Sequence, residues 1–457
     1  KLFDDYRASR VLPGFVPDSK VNMLTRLKDV AEIVIVISAW DIEKKKKRGD
    51  LGITYDMEIL RLIDAFRERG LYVGSVVLTQ FEGQMAAELF KTRLENLGIK
   101  VYRHYPIEGY PSDIANIVSD SGYGRNEYIE TSRSLVVITA PGPGSGKMAT
   151  CLSQLYHEHI RGIRAGYAKF ETFPIWNLPL SHPVNLAYEA ATTDLGDINM
   201  IDPFHLEAYG ETTVNYNRDI EIFPVLNAIF ERIYGESPYS SPTDMGVNMA
   251  GNCIIDDEAV RQAAKGEIIR RYYSARCAEV QGGAGSEEVY RLELMKKAGI
   301  SVEDRKVASA AMEVEQKTGE PAAAIELPDG RIVTGKTSDL LGASSAMLLS
   351  ALKEIGGVDE PLHLISPEII GPVQDLKVKY LGNHNPRLHT DEVLVALSIC
   401  AAEDPNARRA MDQLPRLRGC EGHSPVILSQ GDDNMFRRLG VNLTCEPKYQ
   451  TEKLYHK

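Results

Sequence analysis

A chain of 457 residues exceeds what one compact core supports, because domains rarely grow past about 250 residues, so two or three domains are expected. With 43% hydrophobic and 25% charged residues it is neither disordered nor fibrous, and a formal net charge of -12 argues against a general nucleic-acid coat while allowing a local basic pocket. No stretch reaches the roughly 18 apolar residues a membrane helix needs, so no membrane partner is expected, and Lys1 in place of Met leaves room for preceding residues, a cleaved leader included.

In chain order, the apolar run Ile33 to Ala39 reads as a strand, Tyr55 to Arg69 as a helix and Tyr72 to Thr79 as a strand. Glu82 to Leu97 follows as a helix, then a short strand around Val101, then the strand Ser134 to Ala140. Strands alternating with helices of this length predict a parallel sheet with right-handed crossovers. A helix over about Lys147 to Arg161 leads into a polar, aromatic stretch, Tyr167 to Asn217, of functional-loop composition. A helix from Glu221 to Tyr234 and the turn-rich Glu236 to Asp244 mark a domain edge. Asp256 to Thr318 has helical periodicity, broken at Gly282 to Gly285. Ala323 to Leu327, a Pro-Asp-Gly turn and Arg331 to Thr334 form a hairpin, followed by a helix over Ser344 to Glu354. The expected fold is α/β: an N-terminal three-layer parallel-sheet domain, P-loop-like or Rossmann-like, over 1–240, a helical domain over 241–320, and a smaller C-terminal α/β domain over 321–457.

Where the fourth strand meets its helix, Val136 to Thr150 reads VVITAPGPGSGKMAT. A phosphate site made of backbone needs a strand ending in several glycines, so that consecutive N–H groups turn toward one anion at a helix N-terminus. Gly142, Gly144, Ser145 and Gly146 supply that loop, and Lys147 stands where its ammonium reaches a terminal phosphate. The P-loop spelling is not met: Pro141 occupies the first glycine position, and Met148 stands where a Ser or Thr would hold Mg²⁺, leaving Thr150 as a partial substitute. A turn without a ligand is the plainer alternative. Gly330 to Thr337 does fit the P-loop pattern letter for letter, yet Arg331 to Thr334 belongs to the hairpin, so its backbone is already engaged and the match is rejected.

Within Tyr167 to Asn217, Glu171, Glu189, Asp194, Asp197, Asp202 and Glu207 lie among His182, His205 and Asn215, on the sheet edge where ligands bind. Asp194, Asp197 and Asp202 are the candidates for a Mg²⁺ ligand or general base, with caps and loop contacts as the alternative. His205-Leu206-Glu207 spells the H-x-E of zinc deaminases, but no PCxxC follows and the match is discarded. The six cysteines, Cys151, Cys253, Cys277, Cys400, Cys420 and Cys445, lack CxxC spacing, which favours reduced thiols in a cytoplasmic protein. Near the C-terminus His384, Arg387, His389, Asp391, Cys420, Glu421 and His423 could form a zinc site or a Cys-His pair, against helix caps and buried thiols. Lys44 to Arg48 reads as a solvated loop.

The runs APGPGSGKMATCLSQLYHEH, AGYAKFETFPIWNLPLSHPVNLAYEAATTDLGDINMIDPFHLEAYGETTVNYNRD and LGNHNPRLHTDEVL resemble uncharacterised protein family 0371, over essentially the whole chain. That resemblance implies a bacterial cytoplasmic protein of several domains and brings no reaction, cofactor or catalytic residue with it. From the residues themselves, the expected function is binding of a nucleotide, with Mg²⁺, or of another small phosphorylated ligand at the glycine turn. The expected reaction class is phosphotransferase or ligase, with Lys147, Asp194, Asp197 and Asp202 as catalytic candidates and homo-oligomerisation left open. The alternatives are a metal- or thiol-dependent enzyme at the C-terminal His/Cys cluster and a non-catalytic ligand-binding or assembly protein.

Overall fold

A computed structural model describes residues 2–3, 5–48, 52–193, 196–283, 285–359 and 361–449. The chain divides into two compact units, Lys1–Asn185 with Asp197–Val260, and Leu186–Gly196 with Arg261–Lys457.

In the first unit four strands, β1 (Ala31–Ser38), β2 (Tyr72–Thr79), β3 (Lys100–Arg103) and β4 (Leu135–Thr139), form a wholly parallel sheet in the order β3-β2-β1-β4. All eight residues of β1 are buried, as a central parallel strand requires. Its alternation sends Ile33, Ile35 and Ile37 into a core with the helices Tyr55–Glu68 and Met85–Asn96, while Val34 and Val36 join Val77 and Ile129 on the opposite face. The expected parallel-sheet α/β fold is therefore present, and its strands and helices fall where the apolar periodicity put them.

The polar stretch after the glycine turn is more ordered than its composition suggests. It contains β5 (Lys169–Phe170), the helices Pro183–Ala191 and Pro203–Tyr209, β6 (Asn199–Ile201) and β7 (Val214–Tyr216). β5 pairs with β8 (Gly246–Val247) and β6 with β7, so segments remote in sequence satisfy each other's backbone. The next helix begins at Asn217, four residues before the expected start, and its first turn carries Asp219. In the tract Lys44 to Arg48 the four lysines are exposed but Arg48 is buried, paired with the buried carboxylate of Glu58.

The second unit is built on β9 (Ala322–Glu326), β10 (Ile332–Lys336), β11 (Glu421–Ser424) and β12 (Asn442–Cys445), in the order β10-β9-β11-β12. β9 and β10 form the expected antiparallel hairpin, and β11 runs parallel to β12. Arg305, ahead of the helix Lys306–Thr318, fastens this sheet: its guanidinium donates to the Glu421 carboxylate (2.7 Å), the Thr444 hydroxyl (2.8 Å) and the carbonyls of Gly422 and Asn442. Arg270, on the helix Asp257–Val280, reaches the other Glu421 oxygen at 2.7 Å. Part of the segment expected as a separate helical domain, from Arg261 onward, thus lies in one unit with the C-terminal sheet.

Within β10, Gly335 has no room for a side chain: a Cβ there would stand 2.0 Å from the Met347 amide nitrogen in the helix Ala343–Gly356. The letter-perfect GxxxxGKT segment is thus a packed strand. Gly335→Ala should destabilise the second unit by about 1–3 kcal/mol in urea melts, from overpacking against backbone that cannot rotate away. A neutral substitution would show that this strand and helix are not in close contact.

Candidate functional site

The strand order places β4 beside β1 on the side opposite β2 and β3. The connections leaving β1 and β4 therefore diverge, and this is the switch point at which open parallel sheets bind ligands beyond their carboxyl ends. The glycine turn leaves β4 there and enters the helix Lys147–Ile160. Gly146 is the N-cap, at φ +86°, and Gly144 sits at φ +75°, conformations that glycine adopts without strain. Gly142 is close-packed, since a Cβ would lie 2.1 Å from the Tyr55 hydroxyl.

Three of the turn's carbonyls are engaged from within. Gly142 O accepts from the Ser145 hydroxyl (3.0 Å) and the Lys147 ammonium (3.2 Å), and Ser145 O accepts from the Thr79 hydroxyl at the end of β2 (2.8 Å). Gly146 O accepts from both the amide (2.9 Å) and the hydroxyl (3.0 Å) of Thr150. The amides of Gly144 to Ala149 have no acceptor among the described residues, and no side chain caps the helix. A fourteen-residue helix thus presents a bare N-terminus, where the macrodipole and free N–H groups favour an anion. Thr150 is fully buried with its hydroxyl turned back to the turn, so the geometry gives it no part in holding Mg²⁺.

Burial holds Lys147 below the ordinary lysine range, and the nearby charge of Lys169 adds to the effect, against the pull of Cys151. Lys169 lies in a compact group. Its ammonium meets Glu171 at 2.7 Å and also contacts Asp219 and the Tyr216 hydroxyl, which donates to Glu171 at 3.1 Å. Burial works against the Lys169 charge, but Glu171 and Asp219 outweigh it and raise its pKa. Burial also raises the carboxyl of Glu171, with Asp219 adding to the shift and Lys169 opposing it.

The acids singled out from the sequence have other partners. Asp202 is buried as the N-cap of the helix Pro203–Tyr209: one oxygen accepts the Phe204 and His205 amides, the other the Thr243 amide and hydroxyl. Asp197 pairs with Arg218 at 2.6 Å. Asp194 lies outside the described residues. His182 meets Asp257 at 3.0 Å, and His205 meets the Ser241 hydroxyl. The group around Lys169 went unread because its members come from β5, β7 and the following helix; only the alternation Lys169-Phe170-Glu171, which puts the first and third on one face of a strand, hints at it.

Near the C-terminus, His423 is buried between Thr444 (2.9 Å) and Glu446 (3.1 Å), and Cys420 is buried in the core. Among the described residues no group of three or more His, Cys, Asp or Glu could hold a metal ion. The thiols are also poorly disposed to react: burial pushes Cys151 and Cys445 up to about 12 and Cys277 up to about 11, whereas Cys253 is exposed. Iodoacetamide at pH 8 should alkylate Cys253 well before Cys151 or Cys445, as followed by peptide mass spectrometry; rapid labelling of Cys151 would contradict its burial.

His389 donates to Asp432 at 3.0 Å. Burial pushes the Asp432 carboxyl up, but hydrogen bonds from His389 and the Thr390 amide outweigh it and bring it down to about 2. The bond to Asp432 raises His389, against burial and Lys377, with Glu392 adding. A depressed carboxyl stabilises above its unfolded value and loses that contribution as pH falls through the folded one, whereas a raised imidazole stabilises below its unfolded value and loses it as pH climbs. The pair therefore contributes most between about pH 4 and 6.5. Asp432→Asn should lower the urea midpoint more at pH 5.5 than at pH 9, and an equal gap at both would remove the ion pair from the account.

Residues 1–299 match the family model described as domain of unknown function DUF1846, N-terminal, and residues 303–455 match its C-terminal counterpart. Over its full length the chain is 61% identical to a UPF0371 protein of Corynebacterium diphtheriae, covering 92% of that protein, and 58% identical to one of Streptococcus thermophilus, covering 93%. A UPF0371 protein of Streptococcus pneumoniae is 57% identical with the same 93% coverage. No described helix is long and apolar enough to cross a membrane.

Proposed function

We propose, for a chain that belongs to the DUF1846 family, that its N-terminal unit binds the phosphate of a nucleotide or phosphorylated metabolite at Pro141–Lys147 and acts on it as an enzyme. One observation carries this reading: a bare helix N-terminus, with the Gly142, Ser145 and Gly146 carbonyls engaged from within, at the switch point of the sheet. In that arrangement the amides of Gly144 to Lys147 cradle the phosphate oxygens, and Lys147 leaves the Gly142 carbonyl to neutralise them.

The chemistry assigned to this site is transfer of a phosphoryl group or activation of a carboxylate. Its acid-base groups are those around Lys169. A carboxyl raised by burial, as Glu171 is, can hold or take a proton nearer neutrality than an exposed one. The helix start offers Mg²⁺ no free side-chain hydroxyl, since Met148 has none and the Thr150 hydroxyl is engaged, so recognition by amides and ammonium is favoured over Mg²⁺ held at the turn.

Nucleotides and sugar phosphates should be screened by thermal shift against the wild type and Lys147→Ala. A true ligand at ~100 times its dissociation constant adds roughly 2.7 kcal/mol to the wild type, a shift of several degrees, and most of that increment disappears in the variant. Equal increments in both proteins, or none in either, would falsify the reading. With a ligand in hand, Glu171→Gln should keep the thermal increment and lose turnover.

A further inference from the structure

The second unit contains a cavity of 120 Å³ whose lining includes Gly342, Ser344, Ser345, Arg387, His389 and Thr390. Three helices begin at this cavity: Ala343–Gly356, Thr390–Cys400 and Gln430–Leu439, the last through Ser429 and Asp432. The second and third are already capped, because the Thr390 amide donates to Asp432 at 2.8 Å and the Asp432 amide donates to Ser429 at 3.1 Å. The first is not. Its N-cap is Gly342, no side chain caps it, and the amides of Ala343, Ser344 and Ser345 have no acceptor among the described residues.

An independent observation concerns Thr390, which is fully buried yet whose hydroxyl completes no hydrogen bond, although it lies near enough to Asp432 to help hold that carboxylate ionised. A buried polar group without a partner costs about 1–3 kcal/mol and calls for a ligand or water that the bare protein does not show. Arg387 gives its Nε to the Ser338 carbonyl at 2.7 Å, and its two terminal nitrogens have no partner among the described residues. His389 faces Asp432 at 3.0 Å and Lys377 is paired with Glu392 at 2.7 Å, while Arg387 and the bare helix end bring unengaged donors to the cavity.

We infer that this cavity is a binding site for a tetrahedral oxyanion, inorganic phosphate or the phosphate of a small monoester, held by the amides of Ala343 to Ser345, the Thr390 hydroxyl and the Arg387 guanidinium. Three kinds of donor, from segments 343–345 and 387–390, suit an anion with three or more acceptor oxygens better than a flat carboxylate. The site is separate from the glycine turn and does not depend on what binds there.

Inorganic phosphate, glycerol phosphate and acetate should be titrated calorimetrically at constant ionic strength into the full chain carrying Lys147→Ala, so that the glycine turn's ammonium does not contribute. Phosphate is expected to bind at one site, at least tenfold more tightly than acetate. Glycerol phosphate binding as well as phosphate identifies a monoester site, and its exclusion identifies free phosphate. Adding Thr390→Val should weaken phosphate about tenfold while the unliganded protein stays folded, as its melting curve checks. Arg387→Gln should weaken it at least as much. The inference is overturned if phosphate does not bind, if acetate binds equally, or if Thr390→Val leaves phosphate affinity unchanged; the last outcome would assign the hydroxyl to water.

Discussion

The first unit depends on one strand being buried on both faces. β1 can be apolar along its length only if helices or loops cover both sides of the sheet, and its neighbours must then be reached by crossovers. Once β2 and β3 have gone to one side, β4 takes the other, and the gap between the diverging connections is where the glycine turn emerges. Even a charged residue conforms to this strand. Glu32 is almost fully buried, accepts from the Ser132 amide (2.7 Å) and hydroxyl (2.9 Å), and fills the space where residue 74 would otherwise have a side chain, so Gly74 stands opposite.

Both units come to the same arrangement by different routes. In the first, the carbonyls of Gly142, Ser145 and Gly146 are satisfied from within by Thr79, Ser145, Lys147 and Thr150, while the amides of Gly144 to Ala149 have no acceptor among the described residues. In the second, Gly342 begins a helix without a capping oxygen while neighbouring helix ends are capped by Asp432 and Ser429. A bare helix end beside well-capped ones is a local departure from the usual satisfaction of backbone donors, and such departures concentrate where ligands bind.

The parallel sheet was legible because apolar runs of strand length alternate with segments of helical period, a signal that does not depend on distant contacts. The glycine turn was legible from context, whereas Gly330 to Thr337 matched in spelling and is a strand packed on a helix. At Asp202 the cap alternative had a local signal. An aspartate directly before Pro203 is the N-cap and first-turn pair of a helix start, the same pairing found at Asp404-Pro405, and it gives that alternative more weight at this residue than at the other acids. The Lys169 group was out of reach for a different reason, since residues 169, 171, 216 and 219 meet only after two short strand pairings have formed.

The hydroxyl of Thr79 clasps the carbonyl of Ser145, and a Cβ on Gly146 would lie 3.0 Å from its methyl group. The loop is thus a joint property of two strands that are not neighbours in the sheet. Transplanting the segment from Pro141 to Lys147 onto another scaffold would carry the glycines and lose the clasp, so a graft would have to bring the end of β2 with it. Sequence drift at position 79 should accordingly be constrained by the shape of a loop more than sixty residues away.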